Sequence, residues 1–124
     1  KYWKAVDDPY PLPDLNQNFG RIVIDIETTS LEWRDPNGQI FLVGILTEVL
    51  DCWILTRPYL ERPETQAWLR ALFAQHGHKI GGHNQKFDVL FMNREFGTPL
   101  TIGWDTICMA NTYHEGWHKG LKFI

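Results

Sequence analysis

Two carboxylates, Asp25 and Glu27, stand two residues apart in the segment Arg21-Ile22-Val23-Ile24-Asp25-Ile26-Glu27-Thr28. On a strand, residues at that spacing point to the same face. Side-by-side carboxylates repel each other, and a divalent cation removes the repulsion because hard cations prefer carboxylate oxygens. The plain alternative is a pair of exposed charges at a strand end, and Asp-x-Glu alone is a common sequence. A second group lies in Gly82-His83-Asn84-Gln85-Lys86-Phe87-Asp88. Asn84 and Asp88 are four apart, so on a helix they share a face. They fall where a short strand passes into a helix, and the carboxyl ends of strands in open α/β sheets are where ligands bind. The plain alternative makes Asn84 a helix N-cap and Asp88 a solvated charge.

These residues need elements to hold them. Arg21–Ile26 reads as a strand, and its nearly continuous apolar run predicts a central strand covered on both faces. Asp35-Pro36-Asn37-Gly38 is a turn signal, Gln39–Leu46 a second strand and Glu48–Leu55 a third, the last two forming a hairpin. Pro63 and Glu64 open a helix whose expected buried face is Ala67, Trp68, Ala71, Leu72 and Gln75, with Leu69 and Phe73 beside it. Lys79–His83 is a short strand. Asn84–Phe96 is a helix with Phe87, Leu90, Phe91 and Arg94 on one side and Gly97 as its C-cap. A third helix is expected from Trp104 through Tyr113, and a fourth starting at Leu121. The order β-β-β-α-β-α-(β)-α predicts a mixed sheet with helices on its faces, an α/β domain of the RNase H-like kind.

The 124 residues make one domain, with residues 1–20, rich in Pro9, Pro11 and Pro13, read as an extended arm before a domain at 21–124. Trp3 and Tyr10 are candidate anchors for that arm. No apolar run approaches the roughly 20 residues that cross a bilayer, and Lys1–Ala5 lacks the apolar core of a signal peptide. The expected setting is cytoplasmic, with no membrane partner. Cys52 and Cys108 sit in apolar stretches and are read as buried free thiols in a reducing compartment. A formal net charge of −3 argues against binding nucleic acid through a broad basic surface. It leaves room for an acidic pocket whose field is inverted by metal ions.

Taken together, Asp25-x-Glu27-Thr28 with Leu31, followed by Asn84-x-x-Phe87-Asp88, resembles the first two motifs of the DEDD 3′-5′ exonucleases. The likeness is nearest to the proofreading exonuclease domain of bacterial and phage family A DNA polymerases. Asp105-Thr106 resembles the family's Asp-Thr at the next helix, and Gly120-Leu121-Lys122-Phe123 the opening of the helix after it. The resemblance implies that Asp25, Glu27 and Asp88 ligate two Mg²⁺ or Mn²⁺ ions and catalyse phosphodiester hydrolysis. It implies substrate contacts from Thr28, from Leu31 against the terminal base, and from Asn84 on a phosphate near the scissile bond, with Phe87 part of the second motif. The expected partner is a single-stranded or frayed DNA 3′ end, bound with little base specificity. In the intact protein a polymerase domain would follow, and the role would be proofreading in DNA replication.

A fourth carboxylate, from a Tyr-x-x-x-Asp or His-x-x-x-Asp motif, has no match in residues 100–124, so the chain reads as a fragment. Asp105 comes too early and reads as a helix N-cap. A fragment lacking the following helix would leave one face of its sheet uncovered. His83 reads either as a substrate contact or as a strand-end histidine bonded to backbone, and His76 and His78 as a solvated helix end. Trp33 is a candidate stacking surface for a single strand, and Lys86 an ordinary exposed lysine. Two alternatives remain at this level: a free-standing RNA or DNA exonuclease, and a catalytically silent exonuclease-fold module used for binding.

Overall fold

The structure is a computed structural model, and it describes residues 2–5 and 12–113, the side chains of residues 2–5, Asn111 and Tyr113 excepted. The expected fourth helix from Leu121, the anchor Tyr10, Trp117, His114 and His118 lie outside the described residues, as does the side chain of Trp3. The elements are β1 (Tyr2–Ala5), β2 (Ile22–Thr28), β3 (Ile40–Thr47), β4 (Cys52–Thr56), α1 (Arg57–Leu60), α2 (Pro63–His76), a 3-10 turn (Gly77–Lys79), β5 (Ile80–Gly82), α3 (Gln85–Phe96), β6 (Trp104–Asp105) and α4 (Thr106–Tyr113).

A mixed sheet forms in the order β1-β4-β3-β2-β5-β6. Strand β3 is antiparallel to both its neighbours, β2 and β4, whereas β5 runs parallel to β2, β6 to β5 and β1 to β4. The mixed sheet expected from the hydrophobic pattern is thus present, and β2 is central in it. Its two faces differ. Ile22, Ile24 and Ile26 are buried, and so are their partners Thr47, Ile45 and Val43 on β3. They meet Leu55, Tyr59, Leu60, Leu69, Leu72, Phe73, Val89, Phe91, Met92 and Phe96 in one core. The alternate residues Val23, Asp25 and Glu27, with Leu42, Gly44 and Leu46 opposite, are half-buried or exposed. Continuous apolar character therefore overstated the cover of β2: among the described residues only one face is closed, and Leu46 is 40% exposed on the other.

Several boundaries shift for local reasons. The third strand begins at Cys52, because Thr47–Asp51 is a turn in which Leu50 adopts a left-handed φ of 66° and the Thr47 N–H donates to Asp51 O. A single helical turn with Pro58 near its start, α1, follows β4 directly. On α2 the buried residues are Thr65, Leu69, Leu72 and Phe73, while Ala67 and Gln75 are exposed. The face is rotated from the expected one because the largest apolar side chains set it, leaving Trp68 half-buried with its Nε1 donating to Pro13 O. Likewise α3 buries Asp88, Val89, Met92 and Phe96 with Phe91, while Phe87 and Leu90 are half-buried. Trp104-Asp105 forms a two-residue strand before α4 begins.

The segment read as an arm is tied in. Tyr2–Ala5 pairs with β4, Leu12 and Leu15 pack against the core, and the ring of His76 donates from Nε2 to Leu15 O at 2.7 Å. His76 also meets Phe19 edge-on, so it is not the solvated helix end expected, whereas His78 is exposed. Cys52 is half-buried on the open sheet face and Cys108 is exposed on α4; both are free, but neither is buried as expected. No helix among the described residues is long and apolar enough to cross a membrane.

Candidate active site

Where β5 stops, α3 takes over the edge of β2. Strand β5 pairs with β2 only at Ile22 and Val23. Beyond that point the next free groups of β2 are met by side chains from the first turn of α3. Gln85 Nε2 donates to Ile24 O at 2.9 Å, and the Asp88 carboxyl is hydrogen-bonded by the backbone of Ile26. Gly82 permits this closeness, since a Cβ there would stand 2.6 Å from Gln85 Nε2 and 3.0 Å from Ile24 O. The helix thereby carries Asp88 to the strand that bears Asp25 and Glu27.

Asp25 and Glu27 are exposed on the open face of β2. Gly44 lies opposite Asp25 in the register, so no side chain from β3 covers that carboxylate. A register irregularity falls between Glu27 and Thr28, at the end of the motif. Such bulges re-aim side chains beside functional sites. Asp88, in contrast, is only 5% exposed. The solvated-charge alternative for Asp88 therefore fails. Burial first, then the charges of Asp25 and Asp105, push its carboxyl up to about 8 against the opposing hydrogen bonds of the Ile26 backbone and Gln85. A carboxyl so placed is costly to ionise beside a second carboxylate unless a cation stands with them.

The remaining sequence candidates are distributed around this point. Asn84 precedes α3 with a left-handed φ of 58° and ψ of 52°, is exposed, and makes no side-chain capping bond. Asn84 thus holds the N-cap position without its side chain capping: the carboxylate that serves the start of α3 comes from Asp105, which accepts the Asn84 N–H at 3.0 Å and the Gln85 N–H at 2.7 Å. Asp105 also accepts the Ile107 N–H at 2.8 Å, so it is the N-cap of α4 that the sequence suggested and something more. His83, half-buried, is hydrogen-bonded through Nδ1 with Thr106 Oγ1 at 2.8 Å, a side-chain partner and not the expected backbone one. Thr28 Oγ1 donates to Ser30 O at 2.6 Å. Leu31 is 93% exposed on the loop after β2. Phe87 packs edge-on against Phe91 with ring centres 5.6 Å apart, so much of it serves the core. Trp33 packs against the core and carries Arg34 over its ring, and Lys86 is exposed.

Sequence reasoning missed Gln85 and the second role of Asp105. A glutamine in the first turn of a helix looks like a surface residue, and its burial becomes visible only once Gly82 is known to let it approach β2. The donor set fits a hard divalent cation: every candidate group is a carboxylate, and Asp88 is held against the Asp25 strand. Among the described residues, no three His, Cys, Asp or Glu side chains stand close enough together to hold a metal ion. The site is thus the buried Asp88 beside the strand that carries Asp25 and Glu27 on one face, not a closed cage.

A mixed sheet flanked by helices, with acidic residues at the end of its central strand, defines an α/β nuclease-type fold. A family described as 3′-5′ exonuclease, of the DNA polymerase A type, matches residues 12–124, and the chain belongs to that family. Among solved structures it is similar to one described as the apo form of the nuclease, with a TM-score of 0.55 and 22% identity. That similarity covers 83% of this chain and 48% of the other, so the chain spans about half the neighbour's length. It supports the RNase H-like fold. No curated protein matches the chain.

Proposed function

We propose that the chain carries the carboxylate half of a metal-dependent 3′-5′ exonuclease site that removes nucleotides from DNA 3′ ends. The single observation behind this reading is the pairing of buried Asp88 with exposed Asp25 at the junction of α3 and β2. Asp25, Glu27 and Asp88 would hold two Mg²⁺ or Mn²⁺ ions. When bound, such ions activate a water and stabilise the leaving 3′-oxygen. In the hydrolysis, water adds to the terminal phosphorus, the P–O3′ bond breaks, and a nucleoside 5′-monophosphate leaves. The chain's own residues bind and orient. Asn84, with its exposed and uncapped side chain, meets a phosphate; the Thr28 backbone and Leu31 receive the terminal nucleotide. His83 supports this region through Thr106, and Phe87 seats α3.

In the intact protein the expected companion is a polymerase domain and the expected role proofreading, with a frayed 3′ end as substrate. A second reading, a catalytically silent exonuclease-fold module, draws on one observation: the carboxylates of the described residues do not close into a three-ligand cluster. Release of nucleotides from 5′-labelled single-stranded DNA, with Mn²⁺ or with EDTA, separates the two. Metal-dependent shortening from the 3′ end that vanishes in Asp25→Ala supports the exonuclease. A version extended past Ile124 through the next helix that also leaves the DNA intact would support the silent module.

A further inference from the structure

A buried amide needs a reason. Gln85 is 1% exposed, and an unbonded amide in that position would be destabilising. Its side chain bonds Ile24 O at 2.9 Å. That carbonyl belongs to the peptide unit whose nitrogen is that of Asp25. The same Nε2 lies 3.5 Å from Asp88 Oδ2. One side chain therefore touches the backbone that carries the first carboxylate and the carboxyl of the other. The backbone of Gln85 is held in turn, because its N–H donates to Asp105 Oδ2 at 2.7 Å. Asp105, itself 6% exposed, also fixes the left-handed Asn84 and the start of α4.

We infer that Gln85 and Asp105 are positioning residues that set the relative placement of Asp25 and Asp88, Gln85 by joining their supports and Asp105 by clamping the start of α3. The inference rests on the metal reading of the preceding section. Groups that orient metal ligands from behind typically alter affinity 10- to 100-fold when removed. Asp105 reaches Asn84 as well, so its loss should disturb both the metal pair and the phosphate contact.

The test is Mn²⁺ binding by the metal-free 124-residue chain, followed by electron paramagnetic resonance of the free ion, for the parent, Gln85→Met, Asp105→Asn and the core control Leu72→Val. Methionine keeps the volume of glutamine and removes its donor. Thermal unfolding of each chain is recorded alongside. The expected result is about tenfold weaker Mn²⁺ binding in Gln85→Met and Asp105→Asn. Leu72→Val should bind as the parent does, even where its melting temperature falls as far. If Asp105→Asn does not fold, Gln85→Met decides alone. Variants that bind Mn²⁺ as the parent does would overturn the inference and leave the metal reading standing. A parent chain that binds no Mn²⁺ would overturn both.

Discussion

Asp88, buried in the first turn of α3, titrates in the field of Asp25, which stands exposed on β2. Burial is the larger cause of its rise from 3.8 to about 8, and Asp25 adds to it. The folded, metal-free chain therefore keeps a proton that the unfolded chain releases near pH 4. The stability contributed by protonated Asp88 is complete below the unfolded value and is lost as pH rises toward about 8. We expect unfolding free energy in EDTA to fall across that window, at no more than ~1.4 kcal/mol per pH unit from this group. Urea titrations between pH 5 and 8.5 read the slope, and Asp88→Asn should flatten it. Equal slopes in the two chains would show that Asp88 does not govern the window.

Removing the neighbouring charge should have opposite effects on stability and function. Asp25→Asn takes away the like charge that disfavours ionised Asp88, so the metal-free chain should be more stable at pH 8.5 by about 1 kcal/mol. The same substitution should remove Mn²⁺-dependent cleavage, because a carboxylate ligand is lost. Denaturation in EDTA and the 5′-labelled DNA assay measure the two separately. A destabilised Asp25→Asn chain at that pH would mean that the carboxylate makes stabilising contacts outweighing its repulsion.

How much of this was legible in the residues is clearest from particular positions. The one-sided burial of Ile22, Ile24 and Ile26 was hidden by a continuous apolar run, whereas the glycine at the end of α3, Gly97 with φ 72°, follows from local rules and came through. So did the shared strand face of Asp25 and Glu27. The burial of Asp88 did not, because helix spacing cannot say which face meets a strand sixty residues earlier. Asn84 looked like a cap because its type suits one. Its cap is supplied by Asp105, a contact spanning 21 residues of sequence that no local rule contains. The rotated face of α2 has the same origin: Leu69 and Phe73 chose the core, and Ala67 was carried outward.

A further test concerns the edge where β3 meets α3. Glu95, whose side chain is 10% exposed, accepts the Ile40 N–H at 3.0 Å and Arg57 Nη1 at 2.9 Å. Arg57 also donates to Ile40 O at 2.9 Å, so the pair together satisfies the first residue of β3. Glu95→Ala leaves the Ile40 N–H without its acceptor and removes one of the carboxylates that face the partly buried Arg57 guanidinium. The expected cost is ~2–3 kcal/mol, seen as a lower denaturant midpoint at pH 7. A cost below ~0.5 kcal/mol would mean that water replaces the carboxylate at this edge.

The loop bearing Leu31 separates what folds the chain from what meets its substrate. Thr29 N donates to Gln39 O at 2.8 Å across its base, and Arg94 of α3 donates to Asp35 O and Gly38 O while lying over the Phe91 ring. The loop is thus held by α3 and by its own backbone, not by Leu31, which is 93% exposed. Leu31→Ser should leave stability within ~0.5 kcal/mol of the parent. Arg94→Met should lower it by ~1–3 kcal/mol, because two loop carbonyls lose a charged donor. If Leu31 receives the terminal base, Leu31→Ser should also weaken binding of a single-stranded DNA 3′ end several-fold while leaving Mn²⁺ affinity unchanged. Fluorescence anisotropy with a labelled oligonucleotide checks this directly. Unaltered DNA binding in Leu31→Ser would move the terminal-base contact elsewhere on the opening, with Asn84 and the Thr28 backbone the next groups to change.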